Sequence, residues 1–181
     1  LPGTNAANGA AFVIFGDSNP IVSPLLIDQL NGVNGFRING LHQDDLLGFS
    51  VSSAGDFNAD GYADIVIGVP NADPGTTPRV NAGSAYMIFG SPGPFGSQFD
   101  LMTLSGENGF RVDGIRDGDS LGIAVGAAGD VNGDGYDDVL LGAYHASVGT
   151  PPRAEAGETY VLFGAGSNIN PTFDLTGLNG Q

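Results

Sequence analysis

The chain copies itself at a fixed interval of 74 residues, and that interval limits its fold more than any figure of composition does. Gly9-Ala-Ala-Phe-Val-Ile-Phe-Gly16 returns as Gly83-Ser-Ala-Tyr-Met-Ile-Phe-Gly90 and again as Gly157-Glu-Thr-Tyr-Val-Leu-Phe-Gly164. Asn34-Gly-Phe-Arg-Ile-Asn-Gly40 returns as Asn108-Gly-Phe-Arg-Val-Asp-Gly114, and Leu47-Gly48 returns as Leu121-Gly122. Gly75-Thr76 with Pro78-Arg79 returns as Gly149-Thr150 with Pro152-Arg153. The register needs no insertion, and a little under half of the aligned positions are identical. Self-similarity of this kind means one supersecondary unit per period, each burying its apolar face on a neighbour.

Within each period four short runs read as strands, near 36–39, 47–53, 64–69 and 84–89, and again 74 residues on. They are apolar, β-branched and bounded by Gly, which is strand chemistry, whereas helix signals are nearly absent. The 31 Gly and 11 Pro suit many tight turns. Four strands per repeat is the content of one propeller blade. A stacked β-solenoid is the competing all-β reading, but its coils are usually much shorter than this period. The expected fold is therefore all-β: four-stranded antiparallel propeller blades, about two and a half of them, forming an incomplete propeller. The expected divisions are a partial repeat over 1–33, a full repeat over 34–107, and a second repeat with the start of the next over 108–181.

Between the second and third strand of each period lies an acidic nonapeptide, Asp56-Phe-Asn58-Ala-Asp60-Gly61-Tyr62-Ala-Asp64 and Asp130-Val-Asn132-Gly-Asp134-Gly135-Tyr136-Asp-Asp138. Each carries side-chain oxygens at positions 1, 3, 5 and 9 and Gly at position 6. A hard cation such as Ca²⁺ takes about six to eight oxygens at short range, and a tight loop with acids on alternate residues supplies them. At position 7, Tyr in both copies, the backbone carbonyl is the natural donor. The Gly fits a turn whose backbone angle is costly for a residue with a Cβ. An EF-hand starts the same way but continues to a bidentate Glu at position 12 between two helices. Here position 12 is Ile67 or Leu141, and strand patterns flank the loop, so the EF-hand reading fails.

The order Leu47-Gly48-x-Ser-Val51, then the Asp-rich loop, then Ile65-Val-Ile67-Gly68-Val69-Pro70 resembles the FG-GAP repeat of the integrin α-chain propeller. Both copies put Leu in place of the Phe of the "FG" pair, and the second has Tyr144 where the family often has Pro. The resemblance implies a propeller of about seven blades with Ca²⁺ in hairpin loops on one face. By motif position it implies that Asp56, Asn58, Asp60, Asp64 and the Tyr62 carbonyl ligate one ion. Asp130, Asn132, Asp134, Asp138 and the Tyr136 carbonyl would ligate the second.

Closed propellers take roughly four to eight blades, so this chain is not expected to close alone. It reads first as a piece of a longer chain, in keeping with Leu1 in place of a start Met. The alternatives are a subunit that assembles with its own copies through unclosed blade edges, and an open stack of blades. The net charge of −15 and a pI near 4.1 argue against nucleic acid and anionic membranes as partners. There is no Lys, and the five basic residues are Arg. With no Cys there is no disulfide framework, so metal ions take over the stapling role. No apolar run approaches the roughly 18 residues of a membrane span, so no membrane insertion is expected. Loops with few carboxylates bind calcium at about 10⁻⁴–10⁻³ M, which favours an extracellular or cell-surface location.

Other residues read more plainly. Phe36-Arg37 and Phe110-Arg111 recur, with Phe expected between blades and Arg, like Arg79 and Arg153, on nearby acids or carbonyls. His42 and His145 sit at unrelated repeat positions and read as exposed loop residues. Asp44, Asp45, Asp113, Asp117 and Asp119 read as solvated turn acids, and Phe95 and Phe99 as blade-to-blade plugs. No nucleophile elbow or phosphate loop occurs, so the chain is not expected to be an enzyme. The sequence therefore points to a calcium-binding extracellular adhesion or protein-interaction scaffold, integrin-α-like, with an unidentified protein or polysaccharide ligand. A self-assembling fibre or surface-layer protein and a non-catalytic part of a larger extracellular enzyme are the alternatives.

Overall fold

The structure is a computed structural model, and it describes residues 8–16, 26–149, 151–166 and 169–175. Its strands are β1 (Ala10–Ile14), β2 (Gly35–Asn39), β3 (Ser50–Gly55), β4 (Asp64–Val69), β5 (Ser84–Ile88), β6 (Gln98–Phe99), β7 (Gly109–Asp113), β8 (Leu121–Gly129), β9 (Asp138–Ala143), β10 (Glu158–Leu162) and β11 (Thr172–Asp174). They form three sheets. The central one runs β11-β7-β5-β4-β3, flanked by β1-β2-β6 and by β10-β9-β8. β3, β4, β5 and β7 pair antiparallel throughout, as the four-stranded blade expectation requires.

Two features depart from that expectation. A fifth strand, β11, joins the central sheet parallel to β7, and β6 repeats this beside β2. Second, the sheets are offset from the sequence period. β7 closes the sheet begun by β3, although it opens the following copy of the repeat, as β2 does one period earlier. The strand expected from residue 47 also starts only at Ser50, because Leu46 (φ 64°) and Gly48 (φ 85°) turn the backbone out of line. Leu47 makes an isolated parallel bridge to Gly9, and Leu121 makes the equivalent one to Gly83.

The central strands are apolar on both faces because both faces are covered. Alternation along β4 and β5 divides their side chains between two cores. Val66, Ala85 and Met87 point with Phe110 and Leu141 into the core shared with the β8–β10 sheet. Ile67, Tyr86 and Ile88 point with Phe36 and Leu47 into the core shared with the β1–β2 sheet. Phe57, Phe89 and Phe110 lie with centroids 5.6–6.2 Å apart, a spacing at which tilted aromatic pairs gain beyond their buried area. Phe95 stacks on Phe36 at 4.6 Å and Phe99 packs beside it at 6.2 Å, so the plug expectation agrees with the structure. Phe110→Ala should remove the centre of one core and cost about 3–5 kcal/mol, read by denaturant unfolding; a loss below about 1 kcal/mol would contradict this packing.

Candidate metal loops

Each acidic nonapeptide is the connection of an antiparallel hairpin, β3–β4 or β8–β9. A register irregularity falls just before each loop, at Ser53/Gly55 and at Ala127/Gly129. Gly55 and Gly129 take φ 69° and 68° there, as the glycine of a bulge does. The bulge aims Asp56 and Asp130 into the turn. Gly61 and Gly135 at position 6 are left-handed, at φ 89° and 93°, as expected. Position 4 is left-handed too, in Ala59 and Gly133, and the composition of the loop had not announced that.

Backbone amides hold the acids in both copies. Asp60 N–H and Gly61 N–H donate to the two carboxylate oxygens of Asp56 at 2.9 and 3.0 Å. Asp134 N–H and Gly135 N–H do the same for Asp130 at 3.0 and 2.9 Å. Tyr62 N–H donates to Asp60 Oδ1, and Tyr136 N–H to Asp134 Oδ1. The Asn58 and Asn132 side-chain oxygens accept from the amides of Asp60 and Asp134. Donation from Gly135 above all, with Gly133 and Asp134, holds the Asp130 carboxyl below its ordinary range, so it stays ionised as a cation ligand must.

Position 9 is different in kind. Asp64 and Asp138 are buried, at 1% and 0% exposure. Both oxygens of each accept backbone N–H groups, from Phe57 and Gly90 for Asp64 and from Val131 and Gly164 for Asp138. Gly90 and Gly164 follow β5 and β10, so these acids tie the loop to the end of the third strand. Burial pushes the Asp64 carboxyl up to about 6, against the lowering pull of the Gly90 and Phe57 amides. Gly90 and Gly164 are site residues that a search for acids misses. A Cβ on either would crowd Tyr62 or Tyr136, and the thrice-repeated Phe-Gly pair is the sequence signal for them.

Among the described residues, no group of three or more His, Cys, Asp and Glu is arranged to hold a metal. The donor chemistry of the loops fits a hard cation all the same. Three carboxylates, an amide oxygen and a backbone carbonyl per loop are oxygen donors only, and the amides that steady Asp56, Asp60, Asp130 and Asp134 leave lone pairs on the same oxygens.

In the second acidic zone Asp44 and Asp117 are exposed as expected, and the other three acids differ. Asp45, Asp113 and Asp119 are buried, not solvated. Asp113 meets the Arg111 Nε at 2.7 Å and accepts from Ser84 Oγ, Asp119 accepts from Arg116 N–H, and Asp45 faces His42 Nδ1 at 3.2 Å. Burial raises Asp45 and Asp119 above the usual carboxylate range. These acids serve internal pairing. Arg79 reaches Asp174 at 3.2 Å as expected, whereas Arg37 lies over the Phe12 ring at 5.5 Å instead of on an acid or carbonyl. The His42 and His145 side chains are both exposed.

The central sheet, with four antiparallel strands from β3 to β7, packs between two three-stranded sheets, and acidic hairpin loops connect β3–β4 and β8–β9; this is the architecture of β-propeller blades, and the described sheets close no ring. The chain belongs to the FG-GAP repeat family, whose model matches residues 47–87 and 122–162. It is similar to phosphatidylinositol-glycan-specific phospholipase D, at 36% identity to the Bos taurus protein over 66% of this chain and 33% to the Homo sapiens one over 72%. It is 30% identical to Homo sapiens integrin alpha-6 over 68% of its length. It spans a small part of these relatives, 13%, 15% and 9% of their respective lengths. No helix of the described residues is long and apolar enough to cross a membrane.

Proposed function

We propose that the chain is a calcium-stapled propeller module that acts outside the cell as a non-catalytic scaffold for adhesion or protein interaction. One observation carries the calcium part: two loops 74 residues apart hold their first acid by the same pair of amides. That hold turns the Asp56 and Asp130 carboxylates the same way in both loops, which supports a common ligand. Bound calcium would neutralise carboxylates that otherwise repel one another within each loop. The chain's own part is to present Asp56, Asn58, Asp60 and Asp64, with Asp130, Asn132, Asp134 and Asp138, from the two hairpin turns and the first residues of β4 and β9. The Tyr62 and Tyr136 carbonyls complete the two donor sets. The resemblance to integrin α-chains supports the scaffold reading, with a protein or polysaccharide as the partner and neither nucleic acid nor inserted membrane in that role. A structural place within a larger extracellular enzyme rests on the phospholipase D relatives.

Isothermal titration is expected to give two calcium equivalents per chain and to lose one in Asp60→Ala and one in Asp134→Ala. No heat at millimolar calcium would end the calcium reading. At 1 mM calcium and a dissociation constant on the order of 10⁻⁴ M, each site contributes about 1.4 kcal/mol. Asp60→Ala should then lower Tm by about 3–5 °C in calcium only; an equal loss in chelator counts against a ligand role.

Self-association has its own support. β1 and β10 each end a sheet among the described residues, and Phe12, Ile14, Phe49, Val51 and Phe163 are exposed around them. Sedimentation across a concentration series with and without calcium separates this from a monomeric module.

A further inference from the structure

Position 8 is the one place in the nonapeptides where the two loops differ in charge: Ala63 in the first, Asp137 in the second. It is not one of the ligand positions. Asp137 Oδ2 accepts the backbone N–H of Asp56 at 2.8 Å, and Asp137 N–H donates to the Asp56 carbonyl at 3.2 Å. The second loop thus brackets the residue that opens the first. Ala165 N–H adds a bond to the Phe57 carbonyl at 3.1 Å, from the segment just after β10. Gly55 makes the approach possible, since a Cβ there would overlap the Asp137 carboxylate. At its repeat mate Gly129, a Cβ would meet nothing within 4 Å among the described atoms.

We propose that Asp137 is a positioning residue that couples the two metal loops, so that ordering of the second loop by a divalent cation sets the backbone of the first and raises its cation affinity. This rests on the calcium reading above. The physical route is short. Asp137 lies between Tyr136, whose N–H holds Asp134, and Asp138, which is pinned by Val131 and Gly164. Order in the second loop therefore fixes the Asp137 carboxylate, and that carboxylate fixes Asp56 at the position of the first donor of its loop. A contact that only one state of the second loop can make is a coupling free energy, and linkage makes it reciprocal. Hydrogen bonding and charge are separable here. Asparagine keeps an acceptor oxygen at position 137 and drops the charge, whereas alanine drops both.

Calcium titration of the full chain, with amide hydrogen exchange read at residues 56–61, tests the proposal. In Asp137→Ala two equivalents should still bind, but first-loop affinity should fall at least about fivefold, the lower end of usual coupling factors. The Asp56 amide should exchange faster, and Asp137→Asn should restore both properties. Asp134→Ala, which disables the second loop and leaves Asp137 in place, should weaken the first loop by a similar factor. The double variant should weaken it no further. That variant carries the test if Asp137→Ala fails to fold. First-loop affinity unchanged in Asp137→Ala or in Asp134→Ala would overturn the coupling while leaving the calcium sites standing. An Asp137→Asn variant as weak as Asp137→Ala would assign the effect to charge and overturn the hydrogen-bonded route. No calcium bound by the unaltered chain would overturn the calcium reading and the coupling with it.

Discussion

Asp64→Ala is expected to lower stability by about 3 kcal/mol in chelator, and by about 1.4 kcal/mol more in 1 mM calcium, where the first loop also loses its ion. The carboxylate is buried and accepts from the Phe57 and Gly90 amides. Its removal strands two buried donors, at about 1–3 kcal/mol each. Relief from burying an acid whose carboxyl is already pushed up to about 6 offsets part of that loss. Denaturant unfolding at matched calcium and chelator concentrations measures both limbs. The contrast with Asp60→Ala is the point of the experiment. Asp60 is exposed and should matter through the ion alone, whereas Asp64 ties the loop to the end of β5 whether or not an ion is present. A loss seen only in calcium would reduce Asp64 to a simple ligand.

Gly68→Ala should be strongly destabilising to the central sheet. A Cβ at Gly68 would overlap the Gly122 carbonyl oxygen, and Gly122 is itself left-handed at φ 85° against Gly68 Cα. Ser50 Oγ donates to that same carbonyl at 2.8 Å, so the oxygen is held in place. Neither backbone can yield without separating β4 from β8. Overpacking at such a contact costs about 3 kcal/mol or more. The repeat supplies the control. At Gly142, one period on, the added methyl would meet Ala124 only at an ordinary 3.4–3.5 Å. Gly142→Ala should change stability by less than about 1 kcal/mol, and equal losses at the two positions would refute the close-approach account.

The repeat made most of this legible in sequence. β2, β4, β5, β7, β9 and β10 fall within about a residue of the runs read from pattern, because alternation between two cores forces apolar residues onto both faces. The missed features share a cause, which is that backbone geometry leaves no side-chain trace. Leu46 and Gly48 bend the chain before β3 by φ values that residue identity does not disclose for Leu. β6 and β11 are two and three residues long, too short for periodicity to register. Gly90 and Gly164 act through their N–H groups, which every residue but Pro possesses. The buried Asp113 was readable in principle, since Arg111 two residues before it shares its face of β7. The loops were the clearest signal of all, yet Asp137 lay inside one and was passed over, because its partner is 81 residues away.

The offset between sheet and sequence period has a consequence for how such a protein can be divided. Each copy lends its opening strand to the copy before it, so a cut between residues 107 and 108 would take β7 away from β5 and leave Met87 and Tyr86 beside a missing neighbour. A fragment that keeps the central sheet whole begins ahead of β3 and runs past β11, and it still bares Ile67, Tyr86 and Ile88 where β1 and β2 packed. The same interlock lets neighbouring units fold in concert, since neither finishes its hydrogen bonding without the other.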